Sequence, residues 1–333
     1  MTFENLTKLT QATLVNEPSI ASFDAIVFEP ERVKMGDLYI GNDPEKIKIA
    51  LSRGAYAILS DQKIPVYDEE VAWLRCDHIE SALIGLLRYY LMQKELEFLC
   101  LDPLSLALMQ KIVHRDQIIF LDNRIESNFH KIMEAEQHHI IAGSDESFIR
   151  KIYPSYTITL AQNAPKIVPF KTTLFQSSFY YKEQLFENIK LPELFFPKLE
   201  NILAFLEQKG LSYDIGRCEY TPWFYPLFVT RQLQIKPFGS TPSTLVVTQT
   251  PDLLPEITAY MQQKASWSRQ ICFLPTDTGQ QKCPDLQTVS YQKLSEITKL
   301  KEIEFNFAII VADLTQIVQT LKNLSKKEQL SLF

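Results

Sequence analysis

Apolar, strand-like runs alternate with helical patterns along most of this chain, and that alternation limits its possible folds more than any other feature. The run at 56–60 (YAILS) precedes a helical spacing at 78–96, and the run at 117–122 precedes another at 125–137. Strands joined through helices usually pair in parallel with right-handed crossovers. The pattern therefore predicts an α/β chain built on parallel sheets.

Local signals mark where several elements begin and end. Asp43-Pro44 and Asp102-Pro103 predict helix starts, because Asp accepts hydrogen bonds from free N–H groups and Pro lacks an N–H there. Gly54 is predicted to end the first of these helices. The segment 162–190 is rich in Phe, Tyr and Thr, which favours β-hairpins.

The chain of 333 residues is long enough for two or three domains. We predict three: an N-terminal α/β domain at 1–95, a reduced central α/β domain with a parallel sheet at 96–225, and a Rossmann-like domain at 226–333. The sequence contains no internal repeat and no low-complexity segment.

Charge and composition exclude several functional classes. The net charge is −6 and the pI about 5.5, so no basic surface is predicted to bind nucleic acid. No apolar run reaches the roughly 18 residues of a membrane span, and the N-terminus does not resemble a signal peptide. The five Cys residues are scattered without a C-x-x-C pair, which indicates reduced thiols and a cytoplasmic location.

Glycine is scarce, and this bears on nucleotide binding. Only 9 of the 333 residues are Gly, against an average of about 7%. Gly36 and Gly41 have the spacing of a phosphate loop, but Asn42-Asp43 follows them where Lys-Ser/Thr would be needed. The two glycines flank an apolar run, so the stretch is predicted to be the corner before a strand.

Three stretches in the first hundred residues carry a family resemblance. Residues 31–41 (ERVKMGDLYIG), 47–61 (IKIALSRGAYAILSD) and 76–90 (CDHIESALIGLLRYY) follow one another in the order of motifs in the first domain of the Mur ligases. The chain resembles most the member that adds D-alanyl-D-alanine. These enzymes extend the peptidoglycan peptide of the bacterial cell wall.

The resemblance implies a central ATP-binding domain and a Rossmann-like C-terminal domain. In the family, ATP phosphorylates a carboxylate of a UDP-linked substrate, and an amine displaces the phosphate. The phosphate loop would follow the strand at 96–101, where this chain reads LCLDPLSLALMQK without Gly or a Lys beside a hydroxyl. We therefore predict no catalytic residues, no cofactor-binding residues and no cofactor.

The family also contacts its UDP-sugar through a Ser-Arg pair. Pro30-Glu31 occupies those positions here, and a Glu carboxylate would repel a diphosphate. Arg32 is adjacent, but on an extended chain its side chain would point to the opposite side. The sequence therefore argues against UDP-sugar binding at this stretch.

One metal-site hypothesis arises from the sequence HKIMEAEQHH. On a helix, His130, Glu134 and His138 would follow one another at i, i+4 and could bind a transition metal. The alternative is a polar helix face that leads into a buried strand. We favour the alternative and predict no metal site.

The aromatic and proline-rich cluster at 220–228 suggests an interface. Trp223, Phe224 and Tyr225 are candidates for contact with a protein partner, because aromatic residues are enriched at interfaces. The alternative is a core between domains.

We interpret the chain as a shortened, degenerate Mur ligase-like pseudoenzyme. It would act in the cytoplasm as a binding or scaffold protein linked to cell-wall precursor synthesis. One alternative is an enzyme with a rebuilt pocket on the same scaffold, and another is an active ATP-dependent UDP-MurNAc-peptide ligase.

Overall fold

The computed structural model describes residues 1–114, 116–122, 124–158, 166–278, 283 and 285–330. Within them the α-helices are α1 (Phe3–Thr10), α2 (Pro44–Ser52), α3 (Ile79–Leu91), α4 (Pro103–Ile112), α5 (Ile125–Glu134), α6 (Glu146–Ile152), α7 (Phe196–Gln208), α8 (Leu254–Lys264) and α9 (Leu314–Leu330). The strands are β1 (Thr13–Leu14), β2 (Ile26–Val27), β3 (Leu38–Ile40), β4 (Ala57–Ser60), β5 (Ala72–Arg75), β6 (Glu97–Cys100), β7 (Ile118–Phe120), β8 (Ile140–Gly143), β9 (Val168–Thr172), β10 (Ser177–Tyr181), β11 (Gln184–Ile189), β12 (Tyr225–Val229), β13 (Ser243–Thr248), β14 (Gln270–Pro275), β15 (Gln287–Tyr291) and β16 (Phe307–Val311).

The chain forms two compact units. The first contains residues 1–102 and the described part of 115–159. The second contains residues 103–114 and the described part of 160–333. The domain boundaries predicted from the sequence at 95/96 and 225/226 stay predictions.

The first unit begins with a five-stranded sheet of order β1-β5-β4-β3-β2, in which only β1 runs antiparallel to its neighbour. Both faces of this sheet are covered. Leu38 and Leu59 pack towards α1 and α3, whereas Tyr39 and Ile58 pack into the cluster that contains Ile47 of α2. Burial on both faces explains why β3 and β4 read as continuous apolar runs rather than as alternating patterns.

The sequence signals that predict the start and the end of α2 are confirmed. Asp43 caps α2 by accepting a hydrogen bond from the Glu45 N–H at 3.0 Å, and Pro44 is the first helical residue. Gly54 follows the helix with a φ of +94°, a conformation that favours Gly. The predicted strand at 23–28 is shorter than expected and contains only Ile26–Val27.

A second, three-stranded parallel sheet completes the first unit, in the order β6-β8-β7. Residues of α5 and α6, including Phe129 and Ile149, join the same core as α3. Part of the predicted strand at 156–161 pairs with this sheet, because Thr157 bridges to Leu99 in parallel. Residues 159–161 lie outside the described residues.

The second unit begins with α4 and contains two further sheets. Helix α4 packs against α7, and Val113 after α4 bridges to Tyr213. The predicted hairpin region forms the antiparallel sheet β11-β10-β9. Residues 162–165 of that region lie outside the described residues.

The C-terminal sheet of the second unit has the order β12-β13-β16-β14-β15. Strands β13, β16, β14 and β15 are parallel and β12 is antiparallel to β13. Strands were predicted from the sequence at 243–249, 269–275, 287–291 and 307–313, and all four are confirmed. The segment 292–300, predicted as an α-helix, belongs to a 3₁₀ helix at Leu294–Glu302.

The contact of α1 with α3 depends on Gly85. A Cβ at Gly85 would lie 2.3 Å from the carbonyl oxygen of Leu9. Replacing an internal helix Gly by Ala normally stabilises a protein by about 1 kcal/mol. Here we expect Gly85→Ala to lower the free energy of unfolding by about 1–3 kcal/mol, because the two helices must separate.

Chemical denaturation of the full chain measures this effect. Ser81→Ala, on the exposed side of the same helix, is the control and should leave stability unchanged or slightly higher. Stabilisation by Gly85→Ala would contradict the close packing of α1 on α3.

Candidate functional site

A cleft of about 470 Å³ in the first unit is lined by six Glu, Arg and Lys side chains and one His. It lies between the segment after β2 and the start of α5. We call it the mixed-charge cleft, and its lining residues are Val27, Phe28, Glu29, Arg32, Arg124, Glu126, Ser127, His130, Lys131 and Glu134.

A reciprocal pair of hydrogen bonds fixes the turn that leads from β7 into α5. The Asp122 N–H donates to Asn128 Oδ1 at 2.9 Å, and Asn128 Nδ2 donates to the Asp122 carbonyl at 2.8 Å. Asn128 is 2% exposed, so these bonds are shielded from water. The pair therefore sets the direction in which α5 presents its first two turns to the cleft.

The Asp122 carboxylate holds the same turn from its other side. It accepts hydrogen bonds from the Arg124 N–H at 2.8 Å, from the Ser127 hydroxyl at 2.8 Å and from Lys131 Nζ at 3.0 Å. Burial by itself would raise the pKa of Asp122, but these donors outweigh burial and hold the pKa below its usual value. Asp122 therefore stays ionised and binds the start of α5.

The cleft contains two kinds of cation. Lys131 Nζ is occupied, because it also donates to the Phe120 carbonyl at 2.9 Å. Arg32 and Arg124 form no ion pair with any residue that the structure describes. The two guanidinium groups are therefore available to bind a carboxylate or a phosphate.

Three carboxylates balance these cations. Glu29, Glu126 and Glu134 line the cleft and form no ion pair among the described residues. A cleft with unpaired groups of both signs matches a ligand that itself carries both signs of charge. It is not the uniformly basic site that a polyphosphate alone would favour.

The position of Arg32 corrects the sequence-based interpretation. Residues Pro30–Arg32 form a 3₁₀ turn rather than an extended chain, and Arg32 lines the cleft. The argument that its side chain points away assumed a strand geometry that the turn does not have. Two signals in the sequence mark this site: the charged segment 29–32 after β2, and the charges in 124–134.

The three metal candidates are not brought together. His130 and Glu134 line the cleft, but α5 ends at Glu134 and Ala135 has extended geometry. His138 lies in a turn, where its Nδ1 is 3.6 Å from the Oε2 atom of Glu136. The prediction that His138 follows Glu134 at i+4 on one helix is therefore wrong. No group of three or more metal-ligating residues occurs among the described residues.

Two rings line the cleft beside its charged groups, those of Phe28 and His130. Phe28 packs edge-on against the His130 ring with centroids 5.1 Å apart, and also against Phe129 at 5.8 Å. These contacts hold the imidazole beside the charged groups. His130 is half-buried, so a ligand in the cleft can reach it.

The predicted interface cluster divides between core and surface. Phe224 is 1% exposed and packs against Phe195 at 5.6 Å, so this residue belongs to the core and its prediction as an interface residue is wrong. Trp223 and Tyr225 are half-buried. For them a partner contact stays a prediction.

Cys76, which precedes Asp77 and His78, is not an activated nucleophile. Its side chain is buried, and burial together with the nearby Asp61 carboxylate raises the pKa of the thiol to about 11. A thiol in that state is almost entirely protonated at neutral pH.

The turn between β6 and α4 is too short to form a phosphate loop. Strand β6 ends at Cys100 and α4 begins at Pro103. Most side chains of α4 are buried: Leu104, Ser105, Leu106, Leu108, Met109 and Ile112. The stretch at 36–41 is likewise a strand corner as predicted, with Gly36 at a φ of +100° and β3 directly after it.

Solved structures share this arrangement of sheets. The chain is similar to UDP-N-acetylmuramoylalanyl-D-glutamyl-2,6-diaminopimelate–D-alanyl-D-alanyl ligase from Acinetobacter baumannii, with 11% identity, 98% of each chain covered and a TM-score of 0.52. The fold is that of the Mur ligases. MurF from the same organism gives a TM-score of 0.57 at 10% identity, again with 98% of each chain covered.

A third Mur ligase structure was solved with nucleotide. MurF from Thermotoga maritima in complex with ADP gives a TM-score of 0.53 at 11% identity and covers 91% of this chain and 98% of its own. The sequence matches no family model and no curated protein. The family resemblance seen in the sequence is thus confirmed as a Mur ligase-like fold, and identities near 10% establish the fold alone.

No helix among the described residues combines the length and apolar character needed to cross a bilayer.

Acid should weaken the start of α5. Because the pKa of Asp122 is depressed in the folded chain, its contribution to stability is present above about pH 4 and is lost as the pH falls through the lower folded value. Asp122→Asn should therefore be less stable than the parent at pH 7, and the difference should shrink below about pH 4. Thermal unfolding between pH 7 and pH 3 measures it, with exposed Asp77→Asn as the control. A difference that grows in acid would contradict this role.

Proposed function

We propose that this protein is a Mur ligase-like binding protein that does not use ATP. It acts in the bacterial cytoplasm as a scaffold linked to cell-wall precursor synthesis. Its mixed-charge cleft holds a peptide-bearing precursor of the UDP-MurNAc-peptide type.

The observation that carries this proposal is the turn between β6 and α4. A phosphate loop needs successive free backbone N–H groups, glycine conformations and a Lys. This turn is two residues long, it is closed by Pro103, and it contains no Gly or Lys. Leu104 and Leu108 are fully buried, and each such side chain contributes about 1.5–3 kcal/mol to folding. The start of α4 therefore serves packing rather than phosphate binding.

The charges of the cleft support the ligand class. Arg32 and Arg124 can receive carboxylate or phosphate groups, and the three Glu side chains can receive an amine. A cell-wall peptide precursor carries both kinds of group. The D-alanyl-D-alanine-adding ligases with this fold act on such precursors, as the name of the Acinetobacter baumannii enzyme states.

Nucleotide binding tests the first half of the proposal. ATP with Mg²⁺ should leave the melting temperature of the full chain unchanged. A ligand at a hundred times its Kd would instead stabilise the folded state by about 2.7 kcal/mol. A clear rise in melting temperature with ATP–Mg²⁺ would favour the alternative of an active ligase.

Precursor binding tests the second half. Calorimetric titration with UDP-MurNAc-pentapeptide should give saturable binding that weakens at least about tenfold in Arg32→Ala and in Arg124→Ala, because each change removes a charged hydrogen-bond donor. Arg75→Ala, an exposed residue outside the cleft, is the matched control. Equal binding by all three variants would refute the assignment of the cleft.

One observation favours a second function, an enzyme with a rebuilt pocket. His130 lies among the carboxylates and guanidinium groups of one open cleft, which is the setting of a general acid or base. Chemical turnover of the bound precursor without ATP, abolished in His130→Gln, would support the enzyme. Unchanged precursor after prolonged incubation supports the binding protein.

A further inference from the structure

A second cavity, of about 290 Å³, lies in the second unit and takes no part in the proposed function. It is formed beside β12, where the chain turns back so that the Lys236 N–H donates to the Phe228 carbonyl at 2.8 Å. We call it the aromatic slot, and its principal lining residues are Lys190, Tyr220, Tyr225, Phe228, Lys236 and Phe238.

Two rings of the slot are nearly parallel. Tyr220 and Phe238 have an interplanar angle of 17° and centroids 6.4 Å apart. Aromatic rings in direct contact have centroids about 4.5–7 Å apart, so these two rings form an offset stacked pair. A ligand ring would therefore pack on the exposed surface of Phe238 beside this pair rather than between the two rings.

The remaining rings give the slot one buried side and one exposed side. Phe228 is buried and packs on Phe238 at 4.8 Å, and Tyr225 meets Tyr220 edge-on at 5.7 Å. Phe238 is 49% exposed, although a large apolar side chain gains free energy by burial. A planar ligand beside it would cover that exposed surface.

The charge at the mouth of the slot is positive. Lys236 forms no ion pair with any described residue, and Lys190 is bound by Glu219 at 2.8 Å. The lining side chains include no carboxylate. An acidic ligand is therefore attracted and a cationic one is not.

From these contacts we infer that the aromatic slot binds a planar aromatic acid, with its ring against Phe238 and its anionic group at Lys236. The cavity is at the small end of the range for ligand pockets, about 300 Å³, so a one- or two-ring molecule fits. This site is independent of the mixed-charge cleft, because the two lie in different units.

Indole-3-acetate is a suitable probe, since it joins a planar two-ring system to a carboxylate. Calorimetric or NMR titration of the full chain should show saturable binding. Tryptamine, with the same ring and a positive charge, should bind at least about tenfold more weakly. Absence of saturable indole-3-acetate binding, or equal binding of tryptamine, would overturn the inference.

Variants locate the binding. Phe238→Ala and Lys236→Ala should each weaken indole-3-acetate at least about fivefold, whereas the exposed Phe170→Ala and Lys171→Ala on β9 should leave it unchanged. Circular dichroism checks the fold of each variant. If Phe238→Ala fails to fold, the comparison of Lys236→Ala with Lys171→Ala decides. Equal affinity of these two variants for indole-3-acetate would reject binding in the aromatic slot.

Discussion

The mutual hydrogen bonding of Asp122 and Asn128 is the constraint on which the candidate site depends. It ties the end of β7 to the first turn of α5 through backbone and amide groups that are shielded from water. Hydrogen bonds to a buried amide fix geometry well, because breaking one leaves a polar group without a partner. Arg124, His130 and Lys131 share the cleft because α5 starts in that direction.

The second unit places the start of α4 in its core. Helix α4 directs most of its side chains into the core. At its C-terminal end the Ile112 carbonyl accepts a hydrogen bond at 2.8 Å from the N–H of Asp214, which caps the 3₁₀ turn Ile215–Arg217. Packing of this kind stabilises the fold without any ligand. A loop that binds phosphate would need flexible, solvated backbone at the same place.

Much of the fold could be predicted from local chemistry. The starts of α2 and α4 follow from Asp-Pro pairs, and the parallel strands of the C-terminal sheet follow from short apolar runs. The end of α5 could not be predicted, since the pattern continues to residue 137. The Glu136 N–H instead donates to His139 Nδ1 at 2.9 Å and closes a turn. That bond depends on where β8 begins, and the start of β8 is decided by the tertiary structure.

The sequence by itself determined the α/β class, the absence of a glycine-rich loop after β6 and the family of folds, because these depend on residue type and order. Only the tertiary structure decided that Arg32 and Arg124 share one cleft, that His138 leaves the face of His130, and that Phe224 is core. Those outcomes depend on the path of the chain between distant residues. A pattern of neighbours in sequence carries no information about which side chains meet across two sheets.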